Sequence, residues 1–230
     1  MLVAAAAGAC EPITNTAPAS ATPPAVTSPP VAASPDAGSS PSDNHLVVAR
    51  AKDALPGITV KGVAPMTGYD RTGDFGPAWR DVDRNGCDTR NDILTRDLTN
   101  ATFRPGTHDC VVIAGTLADP YSGTVVQFTK ASAAAVQIDH LVPLAFAWQH
   151  GAQQWTQDQR ILFANNPDDL QATLGTLNDQ KGDAGPAAWL PPNKAYRCVY
   201  VARFTTVVAD SGLWLDPANR DAIQRILAGC

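Results

Sequence analysis

The sequence predicts an α+β domain in which short strands and amphipathic helices enclose one hydrophobic core. Two runs rich in β-branched residues, 110–115 and 124–128, read as strands, and 136–138 is a third such run. Apolar residues recur at helical spacing through 193–208. The apolar share of 44% is ordinary for a packed domain, and no apolar run is long enough to span a bilayer.

The first ten residues, MLVAAAAGAC, are small and apolar and end in a cysteine. Two interpretations stay open. The segment is the remnant of a lipoprotein signal whose Cys10 becomes the acylated first residue, or it is a truncated ordinary signal, since a basic n-region is missing. Both predict export, so we expect a secreted protein or one tethered to the membrane of the cell envelope through Cys10.

Residues 11–46 consist mostly of Pro, Ala, Ser, Thr and Val and contain no Lys or Arg. Such a segment cannot bury enough apolar surface to offset its ordering entropy, so we expect a disordered tether before a domain at 47–230. Three of the chain's 22 acidic residues lie in this tether, which leaves the domain 17 basic against 19 acidic residues. That balance argues against tight, sequence-blind binding of nucleic acid through a basic surface.

Four further cysteines, Cys87, Cys110, Cys198 and Cys230, are typical of two disulfides in an exported domain. Of the three pairings, we favour Cys87–Cys110 and Cys198–Cys230, because each joins neighbouring elements. A zinc site is the alternative, but no Cys-x-x-Cys or Cys/His spacing supports it.

Taken in order, the first helix is expected at 46–55, before Pro56-Gly57. Residues 81–92, DVDRNGCDTRND, then fit a calcium-binding EF-hand loop with oxygen ligands at Asp81, Asp83, Asn85 and Asp92. The last ligand is Asp rather than Glu, and no clear helix precedes the loop. The alternative is an Asx-rich turn that caps a helix at 92–98.

The strands at 110–115 and 124–128 flank a turn sequence at 119–123, so they predict a supporting β-hairpin. Further helices are expected at 144–149, from a Thr156 cap to 163, over 193–208, and from Asp216-Pro217 to 227.

The chemistry is expected in 136–183. The run VQIDHLVPL at 136–144 ends a strand with Asp139 and His140, a second strand follows at 169–173, and a helix opens near Asn178. A carboxylate and a carboxamide supply two oxygen ligands, which suits a Mg²⁺-like ion that keeps most of its waters. A neighbouring imidazole can take a proton from water.

This order of residues resembles the HNH, or ββα-metal, endonucleases. More closely, the chain is similar to a small secreted form of the C-terminal HNH domain of GmrSD-type restriction enzymes. That closer resemblance covers roughly residues 69–230. The general HNH match includes LNDQKGD at 177–183. The closer resemblance is supported by NGCDTR at 85–90, AWLPP at 188–192 and the terminal cysteine.

The resemblance implies His140 as general base, Asp139 and Asn178 as ligands of Mg²⁺, Mn²⁺ or another divalent ion, and Arg90 on the scissile phosphate. A salt bridge to a nearby acid is the other interpretation of Arg90. Lys181 is expected to neutralise a phosphate or pair with Asp183.

Asp169 stands where HNH enzymes usually have the middle Asn. That Asn holds the loop and orients the base through backbone hydrogen bonds, and an Asp can accept such bonds but not donate them.

The sequence therefore predicts an exported, metal-dependent endonuclease with little sequence specificity. We favour DNA as its substrate, and RNA stays open as the alternative. Two alternatives stay open. One is a catalytically inactive envelope lipoprotein that retains the fold, and the other is a calcium-binding module built on 81–92.

Overall fold

The computed structural model describes residues 41–230, with side chains from Asp43 onward. The predicted signal, Cys10 and most of the predicted tether lie outside the described residues. The helices are α1 Pro41–Ala54, α2 Arg71–Phe75, α3 Thr89–Asp97, α4 Leu144–Gln149, α5 Gln157–Ala164, α6 Gly175–Lys181, α7 Arg197–Asp210 and α8 Pro217–Ala228. The strands are β1 Leu98–Phe103, β2 Val112–Asp119, β3 Thr124–Thr129, β4 Val136–His140 and β5 Leu170–Leu174.

The first helix begins earlier than predicted. We expected it at 46, but α1 starts at Pro41, so the last six residues of the predicted tether are helical. Proline suits the first turn of a helix, because the amide it lacks would have no partner there. Composition alone does not reveal this boundary, since the tether and the first turn have the same small, polar residues.

A three-stranded antiparallel sheet has the order β1-β2-β3. The predicted hairpin is its β2–β3 part, with Asp119 opposite Thr124. The sequence analysis missed β1, whose residues 99–102 are mostly small and polar. Because α3 already ends at Asp97, Leu98 opens this strand rather than ending the helix.

The second sheet has two strands, and it leads directly into a helix. β4 pairs antiparallel with β5, with His140 opposite Leu170, and α6 follows β5 without a connecting loop. Gly175 permits this junction, because a Cβ there would overlap the carbonyl oxygen of Ala134. The strand–strand–helix order predicted for 136–183 is therefore present.

Two apolar clusters hold the domain together. One joins α1, α4, α7 and α8, with Tyr200, Phe204 and Ile223 fully buried. The other joins α3 to both sheets through residues such as Ile93, Leu117 and Leu170. The structure contains the disulfides Cys87–Cys110 and Cys198–Cys230, which is the pairing that the sequence analysis favours.

These elements confirm the α+β class. Within the described part of the chain, no helix is both long and apolar enough to cross a membrane.

Candidate functional site

Strand β4 has two faces with different surroundings. Side chains alternate along a strand, so Val136, Ile138 and His140 share one face while Gln137 and Asp139 share the other. Val136 and Ile138 lie in the apolar cluster around α3. Helix α6 contacts the opposite face, where it places side chains against Gln137 and Asp139. The neighbouring Asp139 and His140 therefore point in opposite directions.

The Asp139 carboxylate is buried and fully bonded. Lys181 donates to its Oδ1 at 2.9 Å, and the Tyr121 hydroxyl donates to its Oδ2 at 2.5 Å. The ammonium of Lys181 also donates to the backbone carbonyl of His140, at 2.7 Å. Burial raises the pKa of the Asp139 carboxyl, while Lys181 and Tyr121 act in the opposite direction. This cluster fixes α6 and the β2–β3 turn to the end of β4.

Lys181 thus has a partner that the sequence analysis did not consider. We expected it on a phosphate or paired with Asp183, but its side chain is fully buried and bonded to Asp139. A lysine in this position is not free to meet a substrate.

Asp139 and Asn178 do not fit a divalent cation as they stand. The carboxylate of Asp139 is balanced by an ammonium, and a metal ion beside it would face that like charge at close range in a buried site. The Asn178 amide donates instead to Gln137 Oε1 at 2.7 Å. Among residues 43–230, no group of three or more His, Cys, Asp and Glu side chains is arranged to hold a metal.

The His140 imidazole is held in one orientation. Its Nε2 lies 2.9 Å from the carbonyl oxygen of Ala164, and its ring stacks on Trp79 with centroids 5.9 Å apart. A carbonyl can only accept, so Nε2 carries the proton and Nδ1 is left as the basic nitrogen. Burial lowers the pKa of His140 to about 3, and the charge of Arg71 acts in the same direction. The imidazole is therefore neutral at physiological pH.

A small cavity of about 50 Å³ adjoins this imidazole, with room for a few water molecules. Arg71 and Thr72 from α2, Trp79, and Asn165 contribute to its wall. Neither Asp139 nor Asn178 lines it. The structure thus gives His140 a different set of neighbours from the one that the sequence analysis expected.

Trp79 covers the imidazole in a backbone conformation that few residues adopt. Its φ of 63° is in the left-handed region, which costs a residue with a side chain about 1–2 kcal/mol. The position is stabilised by neighbouring contacts, since Trp79 packs against the apolar cluster around α3.

Asp169 holds the turn that follows His140. Its Oδ1 accepts from the amide of Val142 at 2.8 Å, and its backbone carbonyl accepts from the amide of Leu141 at 2.7 Å. The other carboxylate oxygen, Oδ2, is buried without a hydrogen bond. Burial accordingly raises the pKa of Asp169 well above its usual value. The residue accepts the bonds that the resemblance assigns to an asparagine.

The Arg90 guanidinium is bonded to the protein backbone. Its guanidinium donates to the carbonyl oxygen of Val136 at 3.0 Å and to that of Ala133 at 3.4 Å, both near the start of β4. His140 ends that strand four residues later, roughly 13 Å away at about 3.3 Å per residue. The arginine therefore supports the strand at the end away from the imidazole, and the described contacts include no salt bridge for it.

The predicted calcium loop is compact around Asn85. Asp81 accepts from the backbone amides of Asn85 and Gly86 at 3.1 and 3.0 Å, while Asp83 and Asp92 both accept from the Asn85 side chain at 3.1 Å. Asp88 caps α3 by accepting from the amide of Asn91 at 2.9 Å. These contacts match the alternative interpretation, an Asx-rich turn that caps a helix. The helix itself starts at Thr89 rather than at 92.

Two residues beside His140 were missed. Arg71 and Trp79 lie in a polar, glycine-bearing stretch without a regular pattern, and nothing in the sequence connects them to a residue some 60 positions later. A turn sequence likewise gives no signal that Tyr121 bonds Asp139. Only the distribution of aromatic residues in such an irregular segment hints that part of it is packed.

Comparisons with known proteins identify the family of this chain. The model of the family described as GmrSD restriction endonucleases, C-terminal domain, matches residues 88–225. A relative described as an uncharacterized secreted protein of Arthroderma benhamiae is 37% identical over 183 residues, which covers 78% of this chain and 84% of that protein. No solved structure matches. The chain belongs to the family of GmrSD restriction endonuclease C-terminal domains, as the resemblance predicted.

Proposed function

We propose that the protein is an exported endonuclease that hydrolyses phosphodiester bonds in DNA with little sequence specificity, and that His140 is its general base. One observation carries the proposal. At the end of β4, in a β4–β5–α6 unit of HNH order, a neutral imidazole with a fixed proton faces a cavity that has room for water. The family supports a nuclease-like function, and the secreted relative supports export.

The chemistry assigns one role to each nitrogen of His140. Nδ1 takes a proton from a water molecule as that water attacks phosphorus, while Nε2 keeps its hydrogen bond to the Ala164 carbonyl. The bond from phosphorus to the 3′-oxygen breaks, and the leaving 3′-oxygen takes a proton from solvent. The developing imidazolium is stabilised by this carbonyl and by the negative phosphate. The phosphate also raises the pKa of the imidazole from its low value in the free protein, because an anion favours the charged form.

Asp169 and Lys181 position the base. Asp169 accepts from the turn directly after His140, and Lys181 donates to the His140 carbonyl. Neither side chain needs to touch the substrate for this. We therefore assign both residues to positioning rather than to contact with the substrate.

Dependence on Mg²⁺ or Mn²⁺ is kept as a separate hypothesis. The resemblance implies it, but the contacts of Asp139 and Asn178 do not favour it. No step above uses a metal. Cleavage measured in Mg²⁺, in Mn²⁺ and in excess chelator decides the question without affecting the role of His140.

The proposal is tested by nicking of supercoiled plasmid with wild type and His140→Ala. We expect the variant to lose about 10²–10⁴-fold in rate, the usual contribution of a positioned base. Equal cleavage by both proteins would contradict the proposal. An inactive wild type under every metal condition would favour the alternative, an envelope protein that retains the fold without turnover.

Calcium binding by 81–92 is a second hypothesis. The observation in its favour is that three predicted ligands, Asp81, Asp83 and Asp92, all accept hydrogen bonds from the fourth, Asn85. If it is correct, millimolar Ca²⁺ raises the melting temperature of wild type but not of Asp83→Ala. An equal response of both proteins contradicts it.

A further inference from the structure

The cavity beside His140 contains a second ionisable group that the sequence analysis did not select. Arg71 contributes to the same wall as His140, and it is the one charged residue among those that line the cavity. It lies before the family match at 88–225. The family match therefore assigns no role to Arg71.

The guanidinium of Arg71 is exposed, and the described contacts include no hydrogen bond or ion pair for it. Several other arginines of the domain are bonded. Arg160 donates to three backbone carbonyls, and Arg203 donates to Gln171 and to two carbonyls. An arginine left unbonded at the mouth of a cavity has its donors available to a ligand.

The backbone beneath Arg71 is fixed although its side chain is free. Asp70 caps α2 by accepting from the amide of Thr72 at 3.0 Å. Helix α5 secures the next residues, because Gln157 donates to the Gly73 carbonyl at 2.7 Å and Arg160 donates to the Asp74 carbonyl at 3.2 Å. The backbone that carries the guanidinium is therefore fixed, which lowers the entropy cost of binding a ligand.

The charged groups around the cavity determine whether a ligand there should be an anion or a cation. His140 is neutral, Lys181 is neutralised by Asp139, and the domain as a whole is slightly acidic. Arg71 is thus the available positive charge at this cavity. A planar guanidinium with several donors matches two oxygens of one phosphate, which a point charge does not.

We infer that Arg71 binds the non-bridging oxygens of the scissile phosphate and is a catalytic residue beside His140, in the role that the resemblance gave to Arg90. The inference rests on the proposed nuclease function. Binding there sets phosphorus near the water that His140 activates, and the guanidinium stabilises the charge that grows on the phosphoryl oxygens in the transition state.

The test compares wild type, His140→Ala, Arg71→Ala, Arg71→Lys and Arg104→Ala in plasmid nicking. Arg104 is the matched control, because it is exposed, has no side-chain bond among the described contacts and does not line the cavity. We expect Arg71→Ala to lose about 10²–10³-fold in kcat/KM, as for other donors to a developing charge. Arg71→Lys recovers part of the loss, and Arg104→Ala stays within about twofold of wild type.

A binding measurement separates phosphate contact from a general effect on folding. The dependence of duplex binding on salt is measured in the His140→Ala background, with and without Arg71→Ala. Loss of one phosphate contact lowers the slope of log K against log salt by about 0.9. An unchanged slope overturns the inference, whatever happens to activity.

The outcomes also separate the two proposals. If His140→Ala cleaves like wild type, the proposed function fails. If His140→Ala is inactive while Arg71→Ala is as active as Arg104→Ala, the proposed function stands and the role of Arg71 is wrong.

Discussion

The two faces of β4 have very different surroundings, although the residues that mark them, Asp139 and His140, are neighbours in the chain. On one face, Asp139 is enclosed by Lys181 and Tyr121, and each of its oxygens has a partner. On the other face, His140 has one ring nitrogen bonded and lies beside a cavity under Trp79. The Asp139 face is therefore a fully hydrogen-bonded interior, whereas the His140 face still has donors and acceptors that are available to a ligand.

This contrast changes how an Asp-His pair is interpreted. Adjacent residues in a motif suggest a shared reaction, but adjacent residues on a strand face apart. Here the carboxylate fixes the strand end, and the imidazole is available for chemistry. We therefore expect changes on the Asp139 face to act mainly on stability and changes on the His140 face to act mainly on activity.

The largest effect on stability is expected for Lys181→Met. It leaves the buried Asp139 carboxylate without its counter-charge, and breaking a buried pair in this way costs about 3–5 kcal/mol. Urea unfolding measures the loss. Lys130→Met, at an exposed lysine, serves as the control and should change stability by less than about 0.5 kcal/mol. Similar losses in both variants would contradict the structural role of the pair.

Asp169→Asn is expected to have a smaller effect of opposite sign. Because the pKa of Asp169 is raised in the folded protein, the folded state retains this proton more tightly than the unfolded chain does. Ionisation thus removes stability as pH rises from about 4, near the carboxyl's unfolded pKa, through the raised folded value. An amide does not ionise, so the variant should be more stable than wild type at pH 7.

The check on that prediction is urea unfolding of both proteins between pH 4 and pH 8. The advantage of Asp169→Asn should grow with pH, and Asp221→Asn, at an exposed carboxylate, should show no such trend. An advantage that is constant or that declines with pH would mean that the carboxyl ionises at least as readily in the folded chain as in the unfolded one, which would contradict the prediction.

Trp79→Ala should have its clearest effect on the reactivity of His140. Removing the ring exposes His140, so its modification by diethyl pyrocarbonate should become faster. His108, which is exposed in the wild type, gives an internal reference for the reagent. If the rate at His140, relative to His108, does not change, Trp79 is not what covers the imidazole.

The sequence predicted the elements around the site better than their contacts. Strand β4, the capped helix α5 and the last helix followed from β-branched runs, a Thr cap and an Asp-Pro start, which are all local signals. The pairing of Asp139 with Lys181 was missed because it depends on how α6 lies across the strand. No spacing in the chain encodes that packing.

The same limit explains Arg90 and Arg71. Arg90 lies in a segment with a recognisable signature, so the resemblance favoured it, yet its guanidinium bonds the start of β4. Arg71 lies in an irregular stretch and reaches the cavity only because α2 packs on α5. The arrangement of side chains at this site depends on long-range packing, which a local sequence pattern does not reveal.

The most direct test of the account is chemical rescue of His140→Gly. This variant removes the imidazole and leaves a space beside the cavity, while the Asp139 face is unchanged. We predict that it is inactive in plasmid nicking, and that added imidazole restores cleavage in proportion to its concentration without restoring Arg71→Ala. Cleavage by His140→Gly at the wild-type rate without imidazole would contradict the claim that His140 is the general base.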